Sequence, residues 1–238
     1  MSISRSRLDR FISEKCRVGR RDVRLLVAQK RISVDGKITD DVSLIIDKFS
    51  TVVFDNEVLQ ANKASYIMLH KPVGVVSATI DQEHKTVIDL LSVPEKLDLH
   101  LVGRLDLNTS GLVLLTNDSR WSERLTKPEK KVKKTYLVTL KNPLTDDYIS
   151  AFEQGMYFPF EDITTLPAKL SILSDYTAQV DLVEGRYHQI KRMFGRFRNP
   201  VVALHRQSIG TLHLDSELAV GESRYLTATE VEEIDLTA

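Results

Sequence analysis

GRLDLNTSGLVLLTND, residues 103–118, joins a turn to an apolar strand, and its reading decides the fold. Leu112 to Leu115 forms a strand-like block entered through Asn108, Thr109, Ser110 and Gly111, all residues that favour turns. Asp106 stands just ahead of that block, beside Arg104. A turn aspartate is the simple reading. Strand ends and their turns also fix side chains at clefts, so a catalytic carboxylate is the sharper alternative.

Working outward, YIMLH (66–70) and GVVSAT (74–79) flank a Lys71-Pro72-Val73-Gly74 turn as strand candidates. TYLVTL (135–140), AKLSIL (168–173), TAQVDLV (177–183), PVVAL (200–204) and IGTLHL (209–214) are further candidates, several alternating with period two. SRWSERLT (119–126), TDDYISAFEQ (145–154) and YHQIKRMFGRF (187–197) read as helices between them. TATEVEEI (227–234) closes the chain, with Thr227 and Glu230 spaced as a capping box. Upstream, SRSRLDRFISEK (4–15) and RRDVRLLVAQK (20–30) read as short helices, the first with Ser6 and Asp9 as a capping box. ISVDGKI (32–38) is a hairpin turned by Asp35-Gly36, and TVVFDNEVL (51–59) is a second hairpin. The expectation is an α+β chain. A small module over residues 1–60 precedes a larger domain over 61–238, built on a mostly antiparallel sheet flanked by helices.

The 238 residues can bury a sizeable core, and no apolar run is long enough to span a bilayer. The basic N-terminus lacks the apolar core of a signal peptide, so the expected location is the cytoplasm. One cysteine, Cys16, excludes an intramolecular disulfide and a cysteine-rich metal site. Net charge is zero, but its distribution is uneven: residues 1–31 carry ten lysines and arginines against three acids. Further basic runs occur at 124–135 and 186–198, and acids concentrate towards the C-terminus. Segregation of this kind suits an anionic polymer better than a small substrate.

Within EGRYHQIKRMF, residues 184–194, Ile190, Met193 and Phe194 make an apolar stripe that continues to Phe197. Lys191 and Arg192 lie off that stripe, available to a carboxylate or a phosphate. Tyr136 has the strand parity of Val138 and Leu140; it is either a core tyrosine or a ring presented to a cleft for stacking on a base. The six histidines show no metal-ligand spacing. Ser110 lacks the first glycine of a nucleophile elbow, which argues against a hydrolase.

HKPVG (70–74), GRLDLNTSGLVLLTND, KKTYLVTL (133–140) and EGRYHQIKRMF occur in one order, and together they resemble the pseudouridine synthases that modify ribosomal RNA. The opening RLDRFISE and GRRDVRLLVAQKRISVDGK resemble the S4-type RNA-binding module that often precedes their catalytic domain. The length and the stretch from WSERLTKP to KKTYLVTL look most like bacterial members acting on 16S rRNA. Members acting on 23S rRNA share most of these motifs, and a non-catalytic rRNA assembly factor could use the same surfaces. The resemblance implies a catalytic Asp106 acting as nucleophile or base, a Tyr136 stacked on the target uracil, and a Lys191 paired with Asp106, with Arg192 as its neighbouring rival. It implies RNA contacts from Arg104 and Arg192, and from Arg7, Arg20, Arg21, Arg24 and Lys30 of the first module. The expected substrate is 16S rRNA in a partly assembled small subunit, met by a monomer. Isomerisation imports no group and transfers no electrons, so neither cofactor nor metal is expected.

Overall fold

The computed structural model describes residues 5–234. The chain divides into two compact units, Met1–Ala64 and Ser65–Ala238, and the first and last four residues of the chain lie outside the described residues.

The first unit holds helices α1 (Leu8–Cys16) and α2 (Arg20–Ala28). Its sheet has strands β1 (Ile32–Val34), β2 (Lys37–Ile38), β3 (Val52–Phe54) and β4 (Glu57–Gln60), in the order β2-β1-β3-β4. Leu8, Phe11, Ile12, Val23 and Val27 bury one stripe of the two helices against Ile32, Val34 and Val52. That burial leaves the arginines on the opposite faces. Both hairpins form as their turn chemistry predicts. Asp35 and Gly36 take positive φ in the first, Asp55 and Asn56 in the second. The α1 start differs from the expected capping box. Arg7 is the N-cap residue and makes no side-chain cap bond, while Ser6 and Arg7 pair as a short strand with Ile46 and Ile45. The free amides of Leu8 and Asp9 are instead taken by the carbonyls of Leu44 and Val42. The Asp9 carboxylate accepts two bonds from the Arg7 guanidinium.

The second unit is a nine-stranded mixed sheet. Its strands are β5 (Tyr66–Lys71), β6 (His100–Val102), β7 (Ser110–Thr116), β8 (Lys134–Leu140), β9 (Lys169–Ser174), β10 (Thr177–Leu182), β11 (Val201–Ile209), β12 (Leu212–His213) and β13 (Ser223–Tyr225). The main path runs β9-β10-β8-β11-β7-β5-β13, with β12 paired to β11 and β6 to β7. All pairings are antiparallel except β11 beside β7. Helices α3 (Ser119–Thr126), α4 (Asp147–Gln154), α5 (Gln189–Gly195) and α6 (Ala228–Glu233) complete the unit. The Thr227–Glu230 capping box of α6 forms in both directions.

Strand β7 explains the four-residue apolar run. Val113 and Leu115 join one core, with Tyr148 and Phe152 of α4 and Ile190, Met193 and Phe194 of α5; Leu112 and Leu114 join another, with Trp121 and Leu125 of α3. A strand covered on both faces reads as a continuous apolar run. Each such leucine or valine contributes about 1.5–3 kcal/mol, so β7 is a firm base for the loop ahead of it. The segment GVVSAT departs from the expected strand. Val76 makes only an isolated parallel bridge with Thr86, because the polar groups around it bind the loop before β7, as described next.

Candidate active site

The loop carrying Asp106 is held from below by one buried cation. Lys71 ends β5 with no exposed surface, and its Nζ donates to the carbonyl oxygens of Pro72, Asp106, Leu107 and Thr109 at 3.0, 3.1, 3.5 and 2.7 Å. Burial pushes this ammonium down to about 8, and the nearby Asp106 carboxylate opposes the shift. Ser77 Oγ donates to the Leu105 carbonyl at 2.7 Å and accepts from the Leu105 amide at 3.0 Å. The Gly74 amide donates to the Leu107 carbonyl at 2.9 Å. The HKPVGVVS segment therefore acts as a clamp on residues 105–109.

Gly111 closes the loop onto the sheet. Its φ is +109°, and a Cβ there would lie 2.3 Å from the Arg206 carbonyl oxygen across the parallel β7–β11 pairing. Only glycine permits that approach. Buried Arg206 donates from Nε to the Leu112 carbonyl at 2.8 Å, joining the strands a second time.

Helix α5 brings the opposing charge. Lys191 Nζ donates to Asp106 Oδ2 at 3.1 Å across 85 positions of sequence. His188 Nε2 lies 3.4 Å from the same oxygen. Among the described residues no hydrogen bond reaches Oδ1, so Oδ2 alone of the two carboxylate oxygens is held. The cleft is lined by Arg104, Asp106, Thr109, Tyr136, Arg186, His188 and Lys191, with Leu105, Leu182, Ile190 and Leu204 as apolar wall. Tyr136 is the third residue of β8. It packs in the core with Val138 and Leu140 and also lines the cleft.

Arg192 points elsewhere. It forms a two-pronged pair with Glu161, both bonds at 2.6 Å, and lies 3.7 Å over the Phe158 ring. It thus ties α5 to the short hairpin Tyr157–Phe158/Ile163–Thr164 and leaves Lys191 as the cation on Asp106. Ser110 Oγ bonds His205 Nδ1 at 2.9 Å. Among the described residues no group of three or more histidine, cysteine, aspartate or glutamate side chains could hold a metal ion.

Sequence reasoning did not single out Lys71, His188, Arg186 or Thr109 as site residues. Lys71 and His188 lie inside quoted motifs, and a lysine within an otherwise apolar strand end was the available signal for the first. In the first unit, Arg7, Arg20 and Arg24 line one cleft together with Arg5 and Arg10, whereas Arg21 and Lys30 are exposed outside that lining.

Known proteins similar to this chain share its family. A family model described as RNA pseudouridylate synthase matches residues 65–195. The chain is 47% identical over 226 residues to ribosomal small subunit pseudouridine synthase A of Pseudomonas aeruginosa, covering 94% of this chain and 98% of that one. The Haemophilus influenzae protein of the same name is 41% identical, with 96% and 99% covered. A crystal structure of a pseudouridylate synthase superposes with a TM-score of 0.70 at 40% identity, covering 96% of this chain and 99% of that one.

Proposed function

The chain belongs to the RNA pseudouridylate synthase family, and from that premise we propose that it isomerises one uridine of small-subunit (16S) ribosomal RNA to pseudouridine. The observation that carries the residue assignment is the Asp106–Lys191 pair at 3.1 Å in a cleft shared with Tyr136. The reaction breaks the bond from uracil nitrogen to ribose, turns the base, and joins ribose to carbon 5, which gives up its proton while the freed nitrogen ends protonated. It needs an ionised carboxylate acting as nucleophile or base. Asp106 supplies it, with Oδ2 fixed by Lys191 and Oδ1 presented to the substrate. Tyr136 holds the detached ring against an aromatic face while it turns. Arg104 lines the same cleft, and in this reading it meets the displaced nucleotide or its phosphates.

The target must leave its stack, at a cost of a few kcal/mol. Phosphate contacts offset that cost, and the first unit is their source in this reading. We assign it as an S4-type RNA-binding domain, with Arg7, Arg20 and Arg24 in its basic cleft and Arg21 and Lys30 exposed outside it. The whole acts as a cytoplasmic monomer on a partly assembled small subunit. No described helix is long and apolar enough to cross a membrane, which is in keeping with that setting.

The test is site-by-site mapping of pseudouridine in ribosomal RNA from cells lacking the protein, with purified protein added back to naked and partly assembled RNA. Loss and restoration of one small-subunit site is the expected result. Loss at a large-subunit site, or at none, would overturn the assignment.

A further inference from the structure

The turn between β10 and α5 is wired more tightly than an exposed loop requires. Buried Glu184 accepts from the Leu166 amide at 2.8 Å and Gln189 Nε2 at 2.7 Å with Oε1, and from Arg186 Nε at 2.9 Å with Oε2. Gln189 Oε1 in turn accepts from the Arg186 amide at 3.1 Å. Between these fixed ends His188 adopts the left-handed region, φ 49° and ψ 31°, which is uncommon outside glycine and is sustained by its surroundings. The result is a defined placement of two rings. Tyr187 and His188 stack with centroids 3.9 Å apart and planes 17° from parallel. His188 touches Asp106 at 3.4 Å, while Tyr187 is 75% exposed.

A large aromatic ring left in water, backed by a second ring that lines the cleft and contacts the carboxylate, is a platform with one face taken and one open. Arg104, exposed and without an ion pair among the described residues, lines the same cleft as His188, so the surroundings attract an anionic polymer. Withdrawing a uridine from its stack also strips its neighbours of a stacking partner, and an aromatic side chain can replace that partner for any base. We propose that the Tyr187–His188 pair is a stacking shelf for the base of the nucleotide adjoining the target uridine, and that it positions the RNA strand against Asp106. The inference rests on the proposed uridine isomerisation and adds a positioning contact to it.

The experiment is a double-mutant cycle between protein and RNA, read as binding affinity of the full chain. The probe is a short small-subunit RNA in which the wild-type protein forms pseudouridine. Each nucleotide flanking the target is replaced in turn by an abasic residue, and binding is measured with wild type, Y187A and Y187F. Y187A is expected to weaken binding about tenfold, as removal of one base stack does, and Y187F to bind like wild type. One flanking abasic site should weaken wild type by a similar factor yet cost Y187A less than about twofold, the mark of coupled partners. Binding of Y187A equal to wild type, or undiminished abasic costs in Y187A at every position, would overturn the shelf while product still formed. Absence of pseudouridine from every wild-type reaction would instead overturn the parent reading, and the shelf with it.

Discussion

In the first unit Arg20, Arg21 and Arg24 lie exposed along α2 with no hydrogen bond or ion pair among the described residues. In the second, Lys71 meets four backbone carbonyls, Lys191 meets Asp106, Arg192 meets Glu161, and Arg224 bridges Asp215 and Glu230. The difference is one of use. A guanidinium left in water keeps its charge for a mobile anion and is screened by salt. A cation already matched to oxygen acceptors fixes geometry and is insulated from the bulk. Substitutions of these cations should therefore separate: the paired ones of the second unit change turnover or stability, and the free ones on α2 change salt-dependent affinity.

The largest effect belongs to Asp106. Asp106→Asn keeps the shape of the side chain and removes its charge; turnover should fall by about 10⁴-fold or more, as for other acting groups removed singly. The melting temperature should hardly move, because the loop is fixed by its backbone. Pseudouridine counted after RNA digestion checks it, and retained turnover would break the comparison at its centre.

Next comes Lys71→Met, which fills the same space without a donor. Carbonyls of Asp106 and Thr109 lose their partner, so stability should drop by about 2 kcal/mol or more. The released loop should also lower turnover, by about a hundredfold for a displacement near 1 Å. Denaturant unfolding and steady-state rates read the two separately.

Arg20→Gln combined with Arg24→Gln should weaken RNA binding without unfolding the protein, and should reduce the slope of log affinity against log salt by about 0.7–0.9 per arginine. Lys191→Gln should leave that slope unchanged. Equal slopes in all variants would erase the distinction between the two regions.

The smallest effect is a matter of pH. The Glu230 carboxyl is drawn down from 4.5 to about 2, chiefly by its bond from Arg224. Its folded value is depressed, so its contribution is complete above pH 4.5 and is lost as pH falls towards 2. Glu230→Gln should cost about 1 kcal/mol at neutral pH and flatten the acid limb of a stability curve over that window.

Much of this molecule could be read from short windows. Asp35-Gly36 announced a hairpin, Thr227 and Glu230 a helix start, and Leu112 to Leu115 a strand. Turn dihedrals, capping bonds and side-chain periodicity are properties of a few consecutive residues, so the chain states them locally. The failures follow the same logic. Ser6 did not cap α1 because carbonyls from residues 42–44 reached its amides first, and GVVSAT did not become a sheet strand because its polar groups grip the Asp106 loop. In both cases a partner distant in sequence outbid the local pattern.

The sequence by itself determined most of the longer elements, the uneven placement of charge and, through four motifs in order, the kind of chemistry that follows. Only the tertiary structure decided which groups meet. The parallel seating of β11 beside β7 brings Arg206 against Gly111, Lys71 of β5 gathers the loop carbonyls, and α5 sends Lys191 to Asp106 while its neighbour Arg192 goes to Glu161. Adjacent residues on a helix diverge by about 100°, so motif spacing offered both cations and the packed helix presented one.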